Sequence, residues 1–253
     1  MIFYEYPFTE RIRLLLRLEG LFTKVTHFAG QDGVLEHHVA LGGLFEILDL
    51  VGRIDPKMDL LQELERQRQT LLGFRNNPQV SEQALDGSLY EIEQASANLL
   101  ASNGRFGQAL RDNEWLMMIK HKSSIPGGAC GFDLPSYHCW LNLPSATRRE
   151  QLAQWQKTII PVREAIIIIL RLLRSSGSVE NVLAARGQYQ QMLGGMFFQM
   201  VRITLSEDDW AVPEISANRH VLNIRFAQPS SAEAKNKYCD QDVRFELGFC
   251  SLH

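Results

Sequence analysis

The chain has 253 residues, of which 45% are hydrophobic and 22% are charged, and this composition is typical of a folded soluble protein with a sizeable core. Its formal net charge of -3 and sequence pI of about 6.2 argue against a surface built throughout for nucleic acid or anionic lipid. The most apolar run, residues 165–173, contains Arg171 and is far shorter than the roughly 20 residues needed to cross a bilayer.

Apolar residues at helical spacing predict a series of helices up to residue 176. They run from Thr9 to Gly30 and then over about 34–51, 57–74, 81–100, 108–120 and 144–176. The third and fourth are joined by a short linker, so we expect them to pair as an antiparallel hairpin. Pro161 predicts a kink in the last helix, because proline removes one helical hydrogen bond and clashes with the preceding turn.

Beyond residue 176 the pattern changes to the alternation of β-strands. Strand-like stretches cover 2–6 near the start of the chain and then 181–193, 196–205, 218–226 and 241–250. Gly194 and Gly195 supply the positive φ that a tight hairpin turn requires. The sequence therefore predicts an α+β fold, with a mostly helical domain at 9–176 and a smaller antiparallel β domain from 177 onward.

The most specific stretch of the chain is residues 123–143, which read SSIPGGACGFDLPSYHCWLNL. Two prolines and three glycines lie between helical segments. Glycine allows unusual backbone angles and proline fixes φ, so such a run specifies one irregular backbone path. We expect its glycines to let the chain pass close to another element.

The cysteines are candidates for catalysis. A thiol at Cys130, an imidazole at His138 and a carboxylate at Asp133 are the parts of a cysteine nucleophile site. A cysteine-dependent hydrolase centred on Cys130 and His138 is therefore the alternative to the binding function described below. No local signature of a cysteine hydrolase accompanies them, and we expect Cys130 to be a small buried apolar side chain. Residues 1–7 lack the features of a signal peptide, so all four cysteines are expected to be reduced thiols in the cytosol.

Metal and cofactor sites are not predicted. The chain has no Cys-x-x-Cys pair and no His-x-x-x-His pair, the spacings that commonly hold zinc. Its glycines match neither the P-loop pattern nor Gly-x-Gly-x-x-Gly. Asp208 and Asp209 are paired carboxylates in a predicted turn, where aspartate is favoured by turn geometry.

Clustered arginines favour a binding function. They fall on the first helix and on predicted strands, at Arg11, Arg13, Arg17, Arg202, Arg219 and Arg225. A guanidinium group binds a carboxylate through two hydrogen bonds, which suits recognition of an acidic peptide. Arginines in the middle of a strand should present their charge on one face of the sheet. A nucleic-acid module would use the same arginines with bases stacked on Phe197, Phe198 and Phe226, but the net charge argues against it.

The chain resembles the ZapD family of bacterial cell division proteins. The resemblance lies in Ser-Ile-Pro-Gly-Gly-x-Cys-x-Phe-Asp-Leu-Pro followed by His-x-Trp-Leu. The matching positions that form this signature are Ser124, Pro126, Gly127, Gly128, Phe132, Asp133 and Pro135. Further matches follow in the same order along the chain, at residues 3–13, 16–19, 46–49, 63–67, 107–111 and 224–226.

The resemblance implies a non-enzymatic protein of the cytoplasm, located at mid-cell with the division ring. Such proteins are symmetric dimers that bind the C-terminal peptide of FtsZ and cross-link its protofilaments into bundles. No cofactor, nucleic acid or membrane insertion is implied. The N-terminal strand is expected to join the sheet, which gives a β domain of residues 1–8 plus 177–253.

The resemblance also implies a basic groove between the two domains that holds the peptide. Carried over by position, its residues include Arg17, Arg53, His138 and Arg225. We add Arg111, Arg202 and Arg219 as predicted partner-binding residues. The chain departs from the family pattern at Glu114 and at Val221, where some relatives carry arginine, although Arg219 is expected two residues earlier on the same strand face.

Overall fold

A computed structural model of the protein describes residues 1–52, 55–75, 77–102, 104–207, 211–228 and 238–252. The fold is α+β, as the sequence predicts. The helices of the described residues are α1 (Glu10–Ala29), α2 (Val34–Leu50), α3 (Pro56–Leu72), α4 (Glu82–Ala101), α5 (Gln108–Arg111), α6 (Glu114–Ser123), α7 (Pro135–Leu141), α8 (Ser145–Lys157) and α9 (Ile160–Ser175). Within these residues no helix is both long enough and apolar enough to cross a membrane.

The chain divides into two compact units. The sheet unit comprises Met1–Leu14 and Leu170–His253, and the helical unit comprises Leu15–Ile169. Both boundaries fall within a helix, α1 or α9. The predicted division into a helical domain of residues 9–176 and a β domain of residues 1–8 plus 177–253 therefore stays a prediction.

Local capping explains where several helices begin. The Thr9 hydroxyl accepts a hydrogen bond from the backbone N–H of Ile12 at 3.3 Å, and the Ser81 hydroxyl accepts one from Ala84 at 3.4 Å. Each satisfies a donor that the first turn of a helix leaves unpaired. The helices α3 and α4 pack against each other, as predicted from their short connection.

Two predicted helices are each divided. The helix predicted at 108–120 is interrupted before Asn113, whose side chain accepts a hydrogen bond from the N–H of Leu116 at 3.0 Å and starts α6 anew. The helix predicted at 144–176 is divided into α8 and α9. Pro161 is the second residue of α9, where its missing N–H costs no helical hydrogen bond, so the chain is interrupted before this proline instead of continuing as one kinked helix. The helix α7 was not predicted.

The strands form two antiparallel sheets in the sheet unit. They are β1 (Ile2–Pro7), β2 (Ser178–Ala184), β3 (Gln188–Met192), β4 (Met200–Leu205), β5 (Val212–Ala217), β6 (Val221–Ala227) and β7 (Val243–Cys250). One sheet has the order β1-β4-β7-β2 and the other β3-β6-β5. The N-terminal strand joins the first sheet, which confirms the expectation from the family resemblance.

The strand boundaries differ from the prediction at two places. The stretch 181–193 is two strands that belong to different sheets, separated by Arg186 and Gly187 at positive φ. Gly194 and Gly195 have the expected positive φ of 59° and 79°. However, β3 and β4 lie in different sheets, so the hairpin predicted around these glycines is wrong. The short strand β5 was not predicted.

Buried and partly exposed side chains alternate along β4, so one face of the first sheet packs in a core. Val201, Ile203 and Leu205 are buried, whereas Arg202 and Thr204 between them are partly exposed. The buried residues belong to a cluster that also includes side chains from the second sheet. The opposite faces of both sheets are therefore the ones that carry polar side chains.

A buried arginine organises the helical unit. Arg148 is 4% exposed and its Nε donates to Nδ1 of His37 at 2.8 Å. His37 is fully buried, and its Nε2 donates to the backbone oxygen of Gln31 at 2.7 Å. The remaining Arg148 donors bind the backbone oxygens of Asp32, Leu141 and Leu143. One side chain thus joins the start of α2 to the loop between α7 and α8.

Candidate functional site

The predicted site residues are distributed over both units. Arg17, Arg111 and His138 lie in the helical unit, and Arg202, Arg219 and Arg225 lie in the sheet unit. Arg53 lies outside the described residues. The distinction that matters within each unit is whether a guanidinium group is already bound by the protein or is open to a partner.

Arg17 is the open cation of α1. Its side chain is exposed, and it makes no hydrogen bond or ion pair with any residue that the structure describes. Arg13, one turn earlier, is partly buried and pairs with Glu10 at 3.0 Å. Arg17 can therefore bind an external carboxylate without losing an internal contact.

Arg111 is bound within the helical unit. Its two terminal nitrogens donate to the backbone oxygens of Phe106 at 2.8 Å and of Leu48 at 3.1 Å. A Cβ at Gly107 would lie 3.2 Å from the Arg111 guanidinium and 2.6 Å from Leu48. Arg111 thus joins the end of α2 to the turn before α5, and its role in partner binding stays a prediction.

His138 is an exposed residue of α7 that lies against the signature loop, residues 124–134. A Cβ at Gly131 would lie 3.2 Å from two atoms of the His138 ring, so the glycine lets loop and ring approach. Cys130 is exposed, and the expectation that it is buried is wrong. In the described part of the chain no hydrogen bond joins Cys130 to His138, so the alternative hydrolase lacks its nucleophile–base contact.

The signature loop owes its path to its glycines. Gly127 has a φ of +74°, and a Cβ at Gly128 would lie 2.2 Å from the backbone oxygen of Lys122. No other residue fits that approach. Lys122 also pairs with Asp133 at 3.4 Å. The predicted close passage of this segment beside another element is thus found at the end of α6.

Arg202 is bound within the sheet unit, because Glu5 is its direct neighbour in the pairing of β1 with β4. Its Nε lies 3.2 Å from the Glu5 carboxylate, which also accepts two hydrogen bonds of 2.8 Å from Arg174. The Arg202 guanidinium lies 5.4 Å from the centre of the Phe3 ring. Beside them is the fully buried Cys250, whose thiol pKa is raised mainly by burial. Arg202 is thus paired by charge with the edge strand β1, although its buried Nε makes no hydrogen bond with any residue that the structure describes.

Arg219 lies in the turn between β5 and β6, not on a strand as predicted. Its Nε donates to Nε2 of His220 at 2.8 Å. Asn218 forms the turn by accepting hydrogen bonds from the N–H groups of His220 and Val221. Arg219 therefore does not share a strand face with Val221.

Arg225 lies at the centre of a polar concave surface on the second sheet, here called the sheet groove. It belongs to the central strand β6 and is flanked in register by Gln188 of β3 and Glu214 of β5. The guanidinium lies 5.8 Å from the ring centre of Tyr238, whose hydroxyl donates to Glu214 at 3.2 Å. Among the described residues no carboxylate lies within ion-pair distance of Arg225.

The sheet groove encloses about 780 Å³ and its other outward side chains are polar. The next row across the sheet is Gln190, Asn223 and Ser216. Amides and hydroxyls that can bind the backbone of an extended peptide thus surround one open guanidinium that can bind a carboxylate, with the Glu214 carboxylate beside it. The residues around Arg225 were not predicted as part of a site, although polar side chains alternate along both strands, at Gln188 and Gln190 and at Asn223 and Arg225.

Other kinds of site find no support in the described ranges. No group of three side chains there could hold a metal ion. Phe226, a predicted stacking residue for nucleic acid, is fully buried, and Phe198 packs on Phe249 at 4.6 Å. Arg202 and Arg225 also lie in different sheets, so the predicted arginine strip is not one surface.

Comparisons with known proteins identify the family. The family described as "ZapD: Cell division protein" matches residues 16–225. The chain belongs to the ZapD family. Its similarity to "Cell division protein ZapD" of Dechloromonas aromatica (strain RCB) is 59% identity over 252 residues, covering 100% of both chains. The proteins of the same description from Azoarcus sp. (strain BH72) and Aromatoleum aromaticum are 55% and 54% identical over all of this chain.

Membership of the ZapD family establishes the general role. The chain is a cell division protein of a non-enzymatic family. The family match includes the signature loop and both open arginines, Arg17 and Arg225. The hydrolase alternative is accordingly set aside.

Proposed function

We propose that this ZapD family member binds the C-terminal peptide of FtsZ and, as a homodimer, cross-links FtsZ protofilaments into bundles that stabilise the division ring. It would do so in the cytoplasm at mid-cell. The proposal is supported by similarity along the entire chain to cell division proteins of this family. It is also supported by the exposed Arg17 and Arg225, which the described residues leave unpaired.

The proposed mechanism is capture without chemistry. The arginines pair with carboxylates of the FtsZ peptide, and the amides of the sheet groove bind its backbone. A dimer presents two such sites, so that once one FtsZ tail is bound the second site binds a neighbouring filament at high effective concentration. Symmetry of the dimer makes its two sites equivalent.

The test is pelleting of FtsZ filaments with this protein, comparing full-length FtsZ with FtsZ that lacks its C-terminal peptide. Co-sedimentation that requires the peptide is expected. Pelleting with both forms of FtsZ would show that the protein binds the filament body, and no pelleting would contradict the proposed partner. Light scattering should give twice the chain mass of 28.8 kDa, whereas a monomer would contradict cross-linking.

Arginine variants test which surface of the protein binds the peptide. Arg17→Ala and Arg225→Ala are each expected to weaken peptide binding about tenfold or more, since a hydrogen bond to a charged group contributes about 1.5–3 kcal/mol. The matched control is Arg244→Ala, which removes an exposed arginine from β7 of the other sheet. An equal loss in the control would show that net charge alone, and not these positions, accounts for binding.

A further inference from the structure

Three of the four tryptophans of the chain converge on one surface of the helical unit. Trp115 of α6, Trp140 of α7 and Trp155 of α8 have ring centres 5.8–5.9 Å apart. Trp140 is buried, while Trp115 and Trp155 are partly exposed. They line a shallow groove of about 450 Å³, here called the tryptophan groove. No part of the proposed function uses it.

Among the residues that the structure describes, no charged side chain lines the tryptophan groove. Besides the three indoles, its lining consists of Asn113, Ser136, Cys139, Leu143, Gln151 and Gln154. A groove without a charged side chain offers no compensation for the desolvation of an ionic ligand. It is therefore suited to a neutral ligand that can pack against aromatic rings.

The acceptors of the tryptophan groove are mostly used inside the protein. The Ser136 hydroxyl accepts from Trp115 at 3.2 Å, and the Gln151 side-chain oxygen accepts from Trp140 at 2.6 Å. The Asn113 side-chain oxygen accepts from the backbone N–H of Leu116 in α6 at 3.0 Å. Each of these three oxygens thus already holds one hydrogen bond before any ligand arrives, and each has one lone pair left to accept another.

The donors of the same groove remain open. The indole N–H of Trp155 and the side-chain NH₂ groups of Asn113 and Gln151 donate to no residue in the described ranges. The indole nitrogen of Trp155 has no hydrogen-bond partner in those ranges and is not buried, so it is in contact with solvent. Gln154 adds a further side-chain NH₂ group and one acceptor oxygen. The groove therefore offers aromatic faces and more open donors than oxygens without a hydrogen bond.

A proline-rich segment has the complementary chemistry. Proline carries a carbonyl acceptor but no backbone N–H. Its ring packs on aromatic side chains, and the extended proline helix is formed before binding, which lowers the entropy cost. Sugars, by contrast, bring a donor with every hydroxyl group, and three of the lining oxygens that could accept from them already hold one hydrogen bond each. We propose that the tryptophan groove binds an uncharged, proline-rich extended segment of a partner protein.

The experiment is a titration of the full chain with a blocked proline decapeptide, followed by the intrinsic fluorescence of its tryptophans and by the NMR signals of their indole N–H groups. A glycine-serine decapeptide and a malto-oligosaccharide serve as comparison ligands. We expect a saturable change with the proline peptide only, and the largest NMR shift on the indole signal that Trp155→Phe removes. No saturation with the proline peptide, or preference for the sugar, would overturn the proposal.

Two variants test the site itself. Trp155→Phe keeps an aromatic ring but removes the open donor, so we expect binding to weaken by about fivefold to tenfold, the effect of one hydrogen bond. The matched control is Tyr90→Phe, which removes the hydroxyl of an exposed aromatic residue on α4. Circular dichroism confirms that both variants are folded. Equal affinity of Trp155→Phe and the control would contradict the assignment of the groove.

Discussion

At the scale of single residues, charge on this protein is divided between arginines that support the fold and arginines that face solvent. Arg148 and Arg111 use their donors on backbone oxygens and on His37, whereas Arg17 and Arg225 remain open. Sequence alone treats all four as equivalent cations. Their surroundings separate them, because a buried guanidinium must have its donors satisfied while an exposed one need not.

Arg148 provides a sharp test of that division. Arg148→Met leaves the Nδ1 of His37 and three backbone oxygens without their donor, so we expect the free energy of unfolding to fall by about 3 kcal/mol or more. The neighbouring Arg149 is exposed and pairs with Asp32 at 3.1 Å. Arg149→Met is expected to change stability by less than about 1 kcal/mol. Urea unfolding measures both, and similar losses would contradict the role assigned to Arg148.

At the scale of elements, the strand β1 depends on one carboxylate. Glu5 is 18% exposed and lies between Arg202 of β4 and Arg174 of α9. Two cations thus share one anion at the edge of the four-stranded sheet. Removing that anion takes two hydrogen bonds from Arg174 and leaves the Arg202 guanidinium without its paired carboxylate.

Glu5→Gln keeps the size of the side chain and removes its charge. We expect it to lower the free energy of unfolding by about 2–4 kcal/mol, because breaking a largely buried ion pair leaves an uncompensated charge. The control Glu10→Gln removes a carboxylate that is 86% exposed in its pair with Arg13. It should change stability by no more than about 0.5 kcal/mol. A stable Glu5→Gln variant would show that β1 is held by its backbone hydrogen bonds alone.

Most of the helices could be predicted from the sequence because their signals are local. Thr9 and Ser81 start helices at the predicted places, and helical spacing of leucines gives α3 and α4. The interruption at Asn113 also has a local cause, its side-chain cap, which the apolar pattern across 108–120 hides. The division of 181–193 between two sheets depends on pairing with β6 and β7, far away along the chain.

The candidate site was less predictable for the same reason. Whether Arg202 is open depends on Glu5, and whether Arg111 is open depends on Leu48, and neither partner is near in sequence. Arg225 was predicted, but its setting between Gln188 and Glu214 follows from strand register. Residue types give the candidates, and only long-range packing decides which of them are open.

At the scale of the whole molecule, buried thiol and phenol groups make the free energy of unfolding depend on pH in the alkaline range. Burial raises the pKa of the Cys250 thiol and of the Tyr137 hydroxyl above their ordinary values of 9.0 and 10.0. Tyr137 is 1% exposed and its oxygen lies 2.7 Å from Nδ1 of His38. Both groups therefore stay protonated in the fold at a pH where the unfolded chain has lost the protons.

The direction of the pH effect follows from proton linkage. Above about pH 9 the unfolded chain binds fewer protons than the folded one, so the free energy of unfolding falls as pH rises through the raised pKa values. Below about pH 8 these groups contribute no slope. Urea unfolding across this range should show the decline, and Cys250→Ala should make it less steep between pH 9 and 10. A smaller decline remains there because burial also raises the pKa of the Cys239 thiol. A stability that is constant or rising between pH 8 and 10 would contradict the prediction.

The order β1-β4-β7-β2 has a consequence for how the protein is made. The first and last strands of the chain belong to the same sheet, and β7 lies between β4 and β2. Among the described strands β2 pairs only with β7. During synthesis, β2 therefore lacks this neighbour until Val243–Cys250 leaves the ribosome, when the helical unit is already entirely translated. A premature stop just before Val243 would leave the helical unit translated, but the four-stranded sheet would lack the strand that joins β4 to β2.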